Sequence, residues 1–253
     1  MLGLQTFRTR FGTDIVAQFQ PADRATDKVA ILLPGCPGYP LGKLKLSAFL
    51  ARRGFLTIIP SYRGTWESDG SFLEFPPSED VEIIINQLSK GFIDLWSEGT
   101  YVVHDPQVHL IGGSFGGAAA ILASRHPSVV KAVSLSGVVD WTNQKHTVEP
   151  PEFMHEYIPK AFGNAYRPGK DALDKLERGD FYNPVHEKDT IDGSKLLFIH
   201  YKDDAVVHAA PAKAFATELG SRYVELSGNE HMGVSSALNP RVWKHIERFF
   251  KGK

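Results

Sequence analysis

A single cysteine, Cys36, stands in 253 residues, which excludes an intrachain disulfide and any zinc site built on several thiolates. No apolar run approaches the length of a membrane span, and the opening MLGLQTFRTRFGTD lacks the continuous apolar stretch of a signal peptide. Neither sign of charge dominates. The chain carries 28 Lys and Arg against 29 Asp and Glu, with no block of like charge that would mark a nucleic-acid or membrane-surface stripe. Internal repeats, low-complexity tracts and an H-E-x-x-H motif are also missing. What remains is the expectation of a soluble, cytoplasmic protein that acts on a small molecule, with no nucleic-acid or membrane partner.

The hydropathy pattern supplies the architecture. LQTFRTR and DIVAQFQ alternate on either side of Phe11-Gly12-Thr13 and read as an antiparallel hairpin. VAILLP (29–34), FLTIIP (55–60), VHLIGG (108–113), VVKAVSLSG (129–137), KLLFIHY (195–201) and RYVEL (222–226) are nearly continuous apolar runs, the signature of strands covered on both faces. Helices are expected around Leu44–Arg53, Glu79–Trp96, Phe115–Arg125, Pro211–Leu219 and Pro240–Phe250, the second one capped by Ser78 with Glu79, Asp80 and Glu82 on its positive end. The alternation predicts an α/β fold: a doubly wound, mostly parallel, eight-stranded sheet whose carboxyl-end loops hold the chemistry. One stretch, about 141–194, has helical pieces and no convincing strand, and is expected to be a helical cap inserted into one domain spanning 1–253.

Gly112-Gly113-Ser114-Phe115-Gly116 is a G-x-S-x-G between an apolar strand and an Ala-rich helix, the setting a nucleophile elbow requires. Side chains two positions before and after the serine would collide as strand and helix close, so glycine is needed at both. The helix start aims the Phe115 N–H at a developing oxyanion. A serine needs a base and an orienting acid. Asp203 and Asp204 follow one strand, and His231 follows the next. His104 and His109 flank a proline turn and lack a carboxylate at helical spacing, so no metal is expected there. His155 and Glu156 read as solvated surface of the inserted stretch, and no organic cofactor is called for.

Along nearly its whole length the sequence resembles the α/β-hydrolase superfamily, and more narrowly the catalytic domain of the prolyl oligopeptidase family. The likeness rests on IIPSYRGTWESDGSF, DPQVHLIGGSFGG, HPSVVKAVSLSGVVDW, LLFIHYKDDAVV and GNEHMG. It implies an α/β-hydrolase fold and a catalytic triad of Ser114, Asp204 and His231, because His200, Asp204 and Val207 fall on the superfamily's His-Gly-x-x-Asp-x-x-Val. It also implies that Pro34-Gly35-Cys36-Pro37-Gly38 takes the place of His-Gly-Gly-Pro-Gly, so that the Cys36 N–H joins that of Phe115 in an oxyanion hole. Phe115 replaces the usual tyrosine, and no β-propeller precedes the domain. The resemblance therefore extends to small carboxylesterases. The expected function is hydrolysis of carboxylic esters through an acyl-enzyme, with an aminopeptidase or oligopeptidase as the alternative and a non-hydrolytic member of the fold as a third reading. Trp66 and Phe72 from the Arg-Gly loop, with Trp141, Phe153 and Tyr157 from the cap, would either shape the substrate pocket or belong to the core.

Overall fold

The computed structural model describes residues 7–252, so residues 4–6 of the expected first strand lie outside the described residues. An antiparallel pair, β1 (Phe7–Phe11) and β2 (Ile15–Gln20), leads to β3 (Lys28–Leu33), α1 (Leu44–Ala51), β4 (Leu56–Pro60) and α2 (Pro77–Leu88). A small ribbon of β5 (Phe92–Ile93) and β6 (Thr100–Tyr101) precedes β7 (Gln107–Gly113), α3 (Phe115–Ala123) and β8 (Val129–Leu135). Then come α4 (Pro151–Phe162), α5 (Ala172–Arg178), β9 (Leu196–Tyr201), α6 (Ala209–Glu218), β10 (Arg222–Leu226) and α7 (Pro240–Phe250). The main sheet has eight strands in the order β1-β2-β4-β3-β7-β8-β9-β10. From β4 to β10 every pairing is parallel, while β2 runs antiparallel to both β1 and β4.

Why the strands read as unbroken apolar runs is visible in β3. Val29, Ile31 and Leu33 point into a core shared with α2 and α3, whereas Ala30 and Leu32 point into a second core closed by Leu46 and Leu50 of α1 and Val242, Ile246 and Phe249 of α7. Side chains alternate faces along a strand, and here both faces are covered. The carboxyl ends of β3, β7, β9 and β10 consequently open on one edge, and their loops carry Cys36, Ser114, Asp204 and His231.

Two local expectations fail. The helix beginning near Glu79 stops at Leu88 rather than Trp96: the chain turns at Gly91, φ +96°, and Phe92–Ile93 pairs with Thr100–Tyr101 instead. Phe92 buries its ring against Phe11 and Phe19, a contact with the hairpin that helical periodicity does not reveal. Nor is Ser78 the cap. Pro76 occupies that position and Pro77 the first helical one, where a missing N–H costs nothing. Ser78 is buried inside the first turn.

Between β8 and β9 the described residues form α4, α5 and short 3-10 turns, with no strand of the main sheet. Isolated bridges tie this segment to the Arg-Gly loop, Thr65 with Tyr166 and Phe72 with Pro168. No helix among the described residues is long and apolar enough to cross a membrane.

Candidate active site

Ser114 sits between β7 and α3 at φ 54°, ψ −123°, a region that costs a residue with a side chain about 1–3 kcal/mol. Tight packing around it holds the strain. A Cβ on Gly112 would lie 2.0 Å from the Gly116 carbonyl oxygen, and one on Gly116 would lie 2.3 Å from that of Leu33. Both glycines of the motif are thus required by backbone rather than by movable side chains. Gly113, the motif's variable position, is just as constrained: its Cβ would meet Val234 N at 2.3 Å. The elbow therefore packs directly on the segment that follows His231.

Asp204 is 3 % exposed and receives several hydrogen bonds. His231 Nδ1 lies 2.9 Å from Oδ2 and 3.2 Å from Oδ1. The amides of Val206 and Val207 donate to Oδ1 at 2.9 and 3.1 Å. Burial by itself raises this carboxyl, but the bonds from His231, Val207 and Ser136 outweigh it and hold Asp204 below the ordinary carboxylate value. An ionised carboxylate keeps the proton of His231 on Nδ1, which leaves Nε2 as the basic nitrogen. His200, neutral because burial lowers it, donates from Nε2 to the Val207 carbonyl at 2.8 Å and fixes the acid loop. Asp203 is exposed, and its amide donates to Gly228 O.

Ser136 was not singled out by any motif. Fully buried at φ 45° after β8, it helps hold the Asp204 carboxyl down and accepts from the Met232 amide at 3.2 Å. One hydroxyl thus joins the acid loop to the histidine loop. Only the folded adjacency of β8, β9 and β10 reveals it.

Facing the elbow, the loop 34–38 is pinned from several sides. Tyr62 Oη donates to Pro34 O at 3.0 Å, Trp66 Nε1 donates to Gly38 O at 2.9 Å, and the Gly38 amide donates to Tyr166 Oη at 2.7 Å. A Cβ on Gly35 would be 3.4 Å from Ser114 Cβ, so this backbone runs against the serine. Burial pushes the Cys36 thiol well up, which keeps it protonated and a poor nucleophile. On the other flank, Tyr182 Oη donates to Phe115 O at 2.7 Å and steadies the first residue of α3.

Ser114 lines two adjoining cavities. The smaller, about 30 Å³, is walled by Val138, Trp141, Met154, Val206 and Val207. The larger, about 520 Å³, also contains His231 and Lys43. Phe153 and Tyr157, ring-stacked at 4.8 Å, line both. Of the aromatics expected to shape the pocket or belong to the core, two line neither cavity. Phe72 is 1 % exposed and packs between Phe115 and Tyr166, because the Phe72–Pro168 bridge folds it inward. Trp66 lines neither cavity; its indole supports the 34–38 loop. His109 is buried against Phe55 and Phe250, and burial lowers it to about 4. His155 lies 3.4 Å from Asp174 and 3.9 Å from Glu177. These three side chains could face one cation, but they are partly exposed and lie outside both cavities.

Residues 45–253 match the model of the prolyl oligopeptidase family. The chain belongs to that family. No protein of curated function matches this prolyl oligopeptidase family member. Its fold is that of α/β hydrolases. The Pyrococcus furiosus esterase Pf2001 superposes with a TM-score of 0.70 at 14 % identity, covering 98 % of this chain and 90 % of that one. DcsB, in complex with its substrate analogue, gives 0.70 at 16 % identity and 98 % of both chains. Acylaminoacyl peptidase from Pyrococcus horikoshii gives 0.62 at 15 % identity; 98 % of this chain matches 40 % of that one.

Proposed function

We propose that this protein is a serine hydrolase of carboxylic esters. The observation that carries the reading is the buried Asp204–His231 hydrogen bond at 2.9 Å beside a serine held at a strained strand-to-helix turn in the same cavity. Ser114 Oγ attacks the ester carbonyl as His231 Nε2 takes its proton, and Asp204 steadies the resulting imidazolium. The oxyanion is met by the N–H groups of Cys36 and Phe115. His231 then returns the proton to the departing alcohol oxygen, leaving an acyl-enzyme. Water, deprotonated by the same imidazole, releases the acid and restores Ser114.

Peptide cleavage is the second reading, favoured by the family itself and by the likeness to an acylaminoacyl peptidase. Esters rank first because the esterase Pf2001 is matched over nine-tenths of its length and the peptidase over 40 %. Ser114→Ala should abolish both turnover of p-nitrophenyl acetate and labelling by a fluorophosphonate. Labelling that survives the substitution sinks the assignment. Running amino-acid and dipeptide anilides beside the ester separates the two readings.

A further inference from the structure

Lys43 is 9 % exposed and lines the larger cavity together with Ser114 and His231. One of its three protons is used, on the Tyr39 carbonyl. No carboxylate oxygen lies within 4.0 Å of it among the described residues. Burying a cation without a counter-charge is costly, and burial does lower the proton affinity of this amine. Glu149 is the one acid lining the same cavity among the described residues, but it is exposed, where water screens its charge.

The two cavities divide the substrate. Given Ser114 and His231 in the roles proposed above, on which this inference rests, His231 protonates the departing group, so that group lies on the side His231 lines. That is the larger cavity. The smaller one, at about 30 Å³ and lined mostly by apolar side chains with Gln144 and Glu149 among them, has room for roughly a methyl or two beyond the carbonyl. We infer that Lys43 receives a carboxylate borne by the leaving group, opposite a short acyl chain. Such a leaving group is a hydroxy acid if the bond is an ester, or an amino acid if it is an amide. Either places an anion in the cavity that Lys43 lines, and its ammonium has donors to spare.

The test uses isosteric pairs that differ by one charge: 3-acetoxybenzoate against 3-acetoxybenzamide, and 3-acetamidobenzoate against 3-acetamidobenzamide. The wild-type protein is expected to favour the carboxylate by about tenfold or more in kcat/KM, as a charge-assisted hydrogen bond allows. Lys43→Met should erase the preference while leaving the neutral compound's kcat/KM within about twofold; Lys43→Arg should restore part of it. The pair that shows the preference tells hydroxy acid from amino acid. Binding of 3-hydroxybenzoate to Ser114→Ala, followed by calorimetry, tests the anion site without turnover, and adding Lys43→Met should remove it. Equal rates within each pair, or a preference and product binding unchanged in Lys43→Met, overturn the inference while the hydrolase reading stands. Product binding that depends on Lys43, in a protein that neither turns over the esters nor takes the fluorophosphonate, overturns the hydrolase reading instead.

Discussion

Replacing Asp204 by Asn keeps the shape of the acid and changes only which atoms can accept. In the native site these partners donate to the carboxylate: Val206 N and Val207 N to Oδ1, and His231 Nδ1 to Oδ2. An asparagine has one oxygen and one amide nitrogen to put in those places. With oxygen at the Oδ1 position the two backbone amides stay satisfied, and the NH2 then confronts His231 Nδ1. The imidazole can meet it only by moving its proton to Nε2, which removes the lone pair needed by Ser114. The opposite flip orphans two amides, one of them on buried Val207, at about 1–3 kcal/mol each, so the first arrangement wins. A wrong tautomer in a site of this type lowers kcat by about 10⁴. The assay is p-nitrophenyl acetate hydrolysis at neutral pH, with Asp203→Asn, whose side chain is exposed, as the matched control. Activity of Asp204→Asn above about a tenth of wild type, or a larger loss for Asp203→Asn, refutes the reasoning.

Three further outcomes follow from the same structure. Because the proposed oxyanion hole uses the amide of Cys36 and not its thiol, Cys36→Ala should stay within about twofold in kcat; Tyr166→Phe, which frees Gly38 N, should lower kcat about tenfold with KM little changed, as expected when an oxyanion donor is loosened. Asp80, buried against Arg63, is raised from 3.8 to about 6 mainly by desolvation. A raised acid binds its proton better folded than unfolded, so this group's stability contribution is full below about pH 4 and is lost as pH rises toward about 6. The shift corresponds to about 3 kcal/mol. Denaturant unfolding across that window should show Asp80→Asn lacking this decline; parallel wild-type and variant curves would contradict it.

Much of the site is legible because its constraints are local. A glycine two positions on either side of Ser114 reports a collision between adjacent backbone segments, so the motif carries its own reason. The double-sided burial of β3 likewise writes itself into consecutive apolar residues. Ser78 misleads, and Phe72 stays open between pocket and core, for the converse reason: an aromatic near a motif and a serine before acidic residues are compatible with several burials and caps, and a distant partner or a neighbouring proline decides among them. The overlong helix at Glu79–Trp96 has the same origin, since Phe92 is claimed by the aromatic cluster of β1 and β2.

By itself the sequence determined the alternating α/β order, the elbow at Ser114, and the chain order of serine, acid and histidine, all features of period or short spacing. Only the tertiary structure decided which groups converge on them. Ser136 linking Asp204 to the histidine loop, Tyr166 and Trp66 holding the loop of Cys36, Gly113 meeting Val234, and Lys43 entering the cavity of His231 each join residues separated by tens of positions or more. Strand adjacency in a parallel sheet creates such contacts, and no local pattern encodes it.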